Sequence, residues 1–318
     1  YLGYDEVAHH SGPWTTDAFG DLGRLDNSLA QLRKVTKGDT PRPYEFIVLS
    51  DHGQSFGATF KQRYGLSIKD FIVTQLPKGT TVAQSIGGDR GGSSLRGVAA
   101  ELAGVAQSKQ ANVFDKTAAK QGQKLAELGV GEEDEDVSAK KASVTAYGSG
   151  NACQVYFDLY PRKIKLSELE AAYPGMVDAL VGHEGIGLVC AYEDDGSILA
   201  LGKAGRRNLN TGEVTGQDPL QPFVRESGPG TATIEKRVWQ LKRVMEFPSA
   251  GDLWVISTWY EDGTVAALEE LIGNHGGLGG EQTDAFLFHP PDLTVPDTRN
   301  AIDVFAILNG RREDDSKE

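Results

Sequence analysis

The sequence predicts an α/β fold in which a mostly parallel sheet is flanked by helices and interrupted by a polar insertion. Three observations carry that reading. An amphipathic segment, Thr16 to Val35, leads through the turn cluster TKGDTPRP into the apolar run YEFIVLS, whose C-terminal end delivers DHGQ. Helix, buried strand and polar chemistry at the strand tip is the pattern of a parallel layered sheet, in which ligands bind beyond the carboxyl ends of the strands. Further strand-like apolar runs return after residue 142, whereas residues 87–142 shift to Gly, Ala, Lys, Gln and acid, with GVGEEDEDVSAKK the extreme. Such a composition suits a solvated helical or mobile excursion. The expected organisation is a core at 1–86, a polar insertion at 87–142, and the remainder of the core at 143–318.

Each element follows from its local pattern. Leu22, Leu25, Leu29 and Leu32 recur at three- and four-residue intervals, which places 16–35 on a helix. YEFIVLS, rich in β-branched and aromatic residues, reads as a buried strand. SSLRGVAAELAGVAQSK and VFDKTAAKQGQKLAELG read as two helices within the insertion. NACQVYFDLY resumes strand character, and LSELEAAYPGMVDALVG reads as one helix opening at a Ser N-cap. GIGLVCAYEDDGSILALG is a hairpin turning at Asp195-Gly196. GDLWVISTWY is a strand, EDGT a turn, and VAALEEL a short element entering IGNHGGLGG. DAFLFHP is a last strand, and NAIDVFAILNG a closing helix stopped by Gly310.

The bulk numbers narrow the function. The chain has 318 residues and a formal net charge of -13, which disfavours duplex nucleic acid as a partner, because polyanion binding needs Lys and Arg to replace counterions. Phosphate esters stay open, since metal ions can meet their charge. Cys153 and Cys190 lie far apart in apolar runs and read as buried free thiols. No apolar run approaches the roughly 20 residues that span a bilayer. Nothing in the pattern sets an oligomeric state.

Of six histidines, three stand in polar or Gly-rich settings: His9, four residues after Asp5; His52, directly after Asp51; and His275, before two glycines. Asp-x-x-x-His brings a hard oxygen and an imidazole nitrogen within reach of one ion if the backbone between them is helical. Asp51 and His52 converge only where a strand ends and the chain bends, and Gly53 supplies the bend. Each motif also has a bland reading, Asp51-His52 as a cap and NHGGLGG as a tight loop. His10 pairs alternatively with Glu6, His183 ends a helix whose dipole a cation offsets, and His289 sits in a turn. Ser149 to Asn151 is a turn or part of a cleft, and Arg206 and Arg207 either meet a substrate phosphate or end a solvated hairpin.

In this order, YDEVAHHSGP, IVLSDHGQ and a distant HGG resemble the alkaline phosphatase superfamily, specifically its nucleotide pyrophosphatase and phosphodiesterase branch. The resemblance covers roughly residues 1–60 and 250–290. It implies an alkaline-phosphatase-like fold and two Zn2+ sites, with Mn2+ the natural competitor: Asp5, His9 and His275 on one ion, Asp51 and His52 on the other. Pro13, four residues after His9, selects His9 over His10. The family also uses an aspartate and a Thr or Ser nucleophile ahead of the position matched by Asp5, and both are expected upstream of Tyr1. The chain is therefore expected to be the C-terminal portion of a catalytic domain, with YLGY as the strand that presents Asp5 and any membrane anchor in the missing upstream segment. The activity implied is metal-dependent hydrolysis of small-molecule phosphate mono- or diesters. Alternatives are a non-catalytic binding or regulatory domain that retains the fold, and a sulfatase- or phosphoglycerate-mutase-type member of the same superfamily. Should the nucleophile lie inside the chain, Ser55 and Thr59 are the nearest hydroxyls to Asp51-His52.

Overall fold

The computed structural model describes residues 3–38, 40–80, 82–86, 143–226 and 231–315. The two helices expected at 93–109 and 113–129, like the rest of the insertion, lie outside the described residues.

Eight strands form the main sheet: β3 (Val82–Ile86), β4 (Val144–Ser149), β5 (Ala152–Phe157), β6 (Ile186–Tyr192), β7 (Ile198–Gly202), β8 (Gly205–Asn208), β9 (Val214–Gly216) and β10 (Leu253–Ser257). Their spatial order is β3-β4-β5-β10-β6-β7-β8-β9. Only β3 and β4, on either side of residues 87–142, run parallel; every other neighbouring pair is antiparallel. This corrects the expected mostly parallel sheet. The cause lies in how the strands are buried. Val189 and Val255 point into one core, Cys190, Trp254 and Ile256 into the other. Strands covered on both faces carry near-continuous apolar runs, the pattern associated with parallel sheets, and here antiparallel strands carry it too. The 186–202 hairpin and the strand at 253–257 form as expected.

One face of the sheet is covered by α3 (Phe60–Tyr64), α4 (Ile68–Thr74), α5 (Leu166–Ala172) and α6 (Met176–Gly182), which contribute Phe60, Ile72, Leu169 and Leu180. The other is covered by α7 (Ile234–Met245) through Leu241 and Met245. Cys153 and Cys190 are free and buried on opposite faces, and burial raises both thiols, Cys153 to about 12.

The single helix expected over 166–182 is two, broken at Pro174-Gly175, because proline lacks the N–H that would continue the ladder. Lys165, not Ser167, is its N-cap, and its backbone N–H donates to Glu168 at 3.0 Å. The closing helix, α8 (Ala301–Asp315), runs through Gly310. An interior glycine costs only about 1 kcal/mol of helix propensity, and Arg311 beyond it binds Glu45 and Asp292 at 2.9 and 2.7 Å.

Among the described residues, two further α-helices, two short 3-10 helices and four short strands complete the fold. Gly3 and Tyr4 belong to α1 (Gly3–Ser11), which corrects the strand expected at YLGY; Tyr1 and Leu2 lie outside the described residues. Asp5 is therefore presented from within a helix and not from a strand end. The physical reason is that the i,i+4 pairs Asp5-His9 and Glu6-His10 form only on a helical backbone. The amphipathic segment forms α2 (Thr16–Thr36), with the Thr15 side chain accepting from the Ala18 N–H. The expected buried strand YEFIVLS shortens to β1 (Val48–Leu49), whose partner is β12 (Leu287–Phe288). Leu49 is 49% exposed and Phe288 74%. β2 (Ser55–Phe56) pairs with β11 (Gly273–Asn274). Among the described residues no helix is long and apolar enough to cross a membrane.

A candidate metal centre

Three segments meet at one point. Helix α1 presents Asp5 and His9 one turn apart, and His9 Nε2 lies 3.3 Å from Asp5 Oδ2. The chain after β1 brings His52, and the residue after β11 is His275. The His52 and His275 rings stack at 3.6 Å, and those of His9 and His275 lie 5.1 Å apart. Ligand atoms of Asp5, His52 and His275 all fall within 4.8 Å of one another, close enough to share one ion. Gly53 lets the 281–284 backbone pack close behind His52: a Cβ there would stand 2.0 Å from the Glu281 carbonyl oxygen.

The imidazoles are oriented as ligands. His9 Nδ1–H donates to the Gly273 carbonyl at 2.7 Å, and His52 Nδ1–H to the Gly53 carbonyl at 2.9 Å. A carbonyl only accepts, so each bond puts a proton on Nδ1; Nε2 carries the lone pair in the neutral ring, which for His9 means giving up the proton it shares with Asp5. Burial, helped by the nearby His52, lowers His275 to about 4, so its ring is neutral near pH 7. Burial pushes the Asp5 carboxyl up, but the bond from His9 and the His9, His275 and His52 rings hold it below its ordinary value. His9 is raised, chiefly by Asp5. Nitrogen and oxygen donors of this kind could hold a divalent cation.

The five expected ligands are not equally placed. Asp5, His9, His52 and His275 come together. The Asp51 side chain is 87% exposed; it accepts from the His52 backbone N–H at 3.1 Å and lies 3.6 Å from His52 Nε2. His52 thus sits in one cluster with Asp5 and His275, with the exposed Asp51 beside it. The nucleophile and the further aspartate expected upstream of Tyr1 lie outside the described residues, which begin at Gly3. His10 binds Glu6 at 3.2 Å on the exposed side of α1. His289 Nδ1–H donates to the Pro290 carbonyl within its turn. His183 packs against Phe60, Tyr64 and Phe71 at 4.5–4.6 Å, and burial lowers its pKa, so an aromatic pocket and not a helix dipole defines its environment. Arg207 pairs with Asp218 at 2.5 Å within the sheet.

Supporting residues with no motif of their own complete the site. Gln54 donates to Asp5 Oδ1. Asn151, fully buried in the turn between β4 and β5, donates from its backbone to the His275 carbonyl at 2.9 Å and from its side chain to Ser55 Oγ and Gln282 Oε1 at 2.8 and 2.9 Å. Its neighbour Gly150 holds φ +55, and a Cβ there would lie 2.2 Å from the His275 carbonyl. The Ser149–Asn151 turn is therefore also the floor under His275. Ser55 is 2% exposed and donates to the Asn274 carbonyl, and Thr59 caps α3 and bonds Glu270, so both hydroxyls are occupied. Gln54 is legible only as the fourth letter of DHGQ; Asn151 carries no signal that separates a support from a turn.

No protein-family model, curated protein or solved structure matches this chain.

Proposed function

We propose that the chain is the metal-binding portion of a metal-dependent hydrolase of phosphate mono- or diesters, built on an alkaline-phosphatase-like fold. The observation that carries the reading is the convergence of Asp5, His52 and His275 within 4.8 Å, with His9 beside them. The motif order of three separated stretches corresponds to one cluster of donors. A bound Zn2+ or Mn2+ would polarise the phosphoryl oxygens and lower the pKa of an attacking hydroxyl or water. The chain's own residues hold and orient: His9, His52 and His275 offer nitrogen lone pairs, Asp5 offers a carboxylate, and Gln54 steadies Asp5 by hydrogen bonding.

The nucleophile is proposed to come from residues upstream of Tyr1, as the resemblance implies. The occupied hydroxyls of Ser55 and Thr59 favour this. So does the β1–β12 ribbon, which is apolar on both faces: Val48 and Phe288 share one, Leu49 and Leu287 the other. Such a pair suits the interior of a layered sheet better than open solvent. The test compares this chain with one extended upstream, on bis(p-nitrophenyl) phosphate and p-nitrophenyl phosphate with zinc or manganese. The extended protein is expected to turn over several orders of magnitude faster, as when a nucleophile acting with its partners is restored. Equal turnover would place the nucleophile inside this chain. Inactivity of both with metal bound would leave a binding domain.

A further inference from the structure

The main sheet is wider than the helices that cover it. Val255, Val189, Leu201, Arg206 and Thr215 are successive register partners across β10, β6, β7, β8 and β9, so their side chains share one face. Val255, Val189 and Leu201 belong to the core that α3–α6 close, whereas Arg206 and Thr215 are exposed. Where the cover ends lies a groove of about 780 Å3 that shares no residue with the metal centre. Leu166, Val177, Val181 and Leu201 give it an apolar base. Glu170 of α5, Asp178 of α6 and Glu193, just after β6, line it with carboxylates, and Arg206 adds a guanidinium from the sheet. Arg207, on the opposite face, is held by Asp218 at 2.5 Å. The side chains of Arg206 and Asp178 have no ion pair or hydrogen bond among the described residues, and Glu170 accepts from the Gly175 N–H at 2.8 Å.

We propose that this groove binds a short apolar peptide with free ends, its terminal ammonium on the helix carboxylates and its terminal carboxylate on Arg206. An anion alone would meet three carboxylates, and a cation alone would meet Arg206; a ligand with one charge at each end satisfies both. The planar guanidinium suits a carboxylate, which it can bind through two parallel hydrogen bonds. The apolar base rewards side chains between the ends, as in pockets that orient a mostly apolar ligand by a few polar groups. Capture of chain termini in this way is an established mode of peptide recognition. A single amino acid would leave most of the groove empty.

The probes are Val-Leu, its N-acetyl form, its C-terminal amide, Gly-Gly and free leucine. Each is titrated calorimetrically, without added metal, into the full chain and into its Arg206→Ala and Asp178→Asn variants. Val-Leu is expected to bind about ten-fold tighter than either blocked form, since each block removes one charged end, and tighter than Gly-Gly or leucine. In Arg206→Ala its advantage over the amide should vanish while that over the N-acetyl form persists; in Asp178→Asn the advantage over the N-acetyl form should shrink while that over the amide persists. This crossed pattern assigns each end of the ligand to its wall. No binding of Val-Leu at millimolar concentration, equal binding of the free and blocked forms, or an amide that binds the unmodified chain as tightly as Val-Leu would overturn the proposal, the last by showing that only an ammonium is recognised. So would identical losses for every probe in both variants.

Discussion

His9 and His183 show how a side chain's neighbours decide what an imidazole does. His9 is tied through Nδ1 to the Gly273 carbonyl and faces Asp5 with Nε2, so its ring is both oriented and available. His183 caps α6 but is enclosed by Phe60, Tyr64 and Phe71, and burial lowers its pKa, with Glu184 opposing. The sign of its pH effect follows. The unfolded chain binds the proton more readily, so stability rises with pH through this window, is fully present above the ordinary value of 6.5 and is lost as pH falls toward the folded value. His183→Phe keeps the packing and removes the titration. Thermal melts between pH 5 and 7 should show the wild-type Tm falling toward acid by about 1–3 °C more than the variant's. Parallel curves would show that His183 is as easily protonated folded as unfolded.

The strands that follow His52 and precede His275 are short, and buried polar bonds support them where strand length does not. β2 and β11 are two residues each. Beneath them, Ser55 donates to the Asn274 carbonyl, Asn151 donates to Ser55 and Gln282, and the Gly277 N–H donates to Gln282 at 3.0 Å. These bonds join the β4–β5 turn of the main sheet to the ribbon that ends at His275. Removing a buried donor strands its partners, so Asn151→Ala is expected to cost roughly 1–3 kcal/mol. Urea unfolding should show a lower midpoint with an unchanged slope. An unchanged midpoint would mean that the ribbon is held by other contacts.

At the scale of the whole molecule, the site is more legible in the sequence than the fold. Asp5 and His9 are readable because an i,i+4 pair needs only one helical turn to converge, a rule local in sequence. The gathering of His52 and His275 across more than two hundred residues comes from motif order, which no local rule supplies. Strand direction is not legible: GLVCAY and LWVIS are apolar throughout because α3–α6 cover one face and α7 the other, and this pattern is the same for parallel and antiparallel neighbours. YEFIVLS reads as buried from its composition, yet its described partner is β12 alone, so half of Leu49 meets solvent.

Equilibrium zinc titration of the chain beside its His9→Ala and His10→Ala variants tests the metal site built on Asp5, His9, His52 and His275. Close to one tightly held zinc per chain is expected, because Asp51 faces solvent. Affinity should fall by more than about 100-fold in His9→Ala, beyond the usual effect of altering a ligand's support, and stay within a few-fold in His10→Ala. No tight zinc, two ions that survive dialysis, or a larger loss in His10→Ala than in His9→Ala would contradict it.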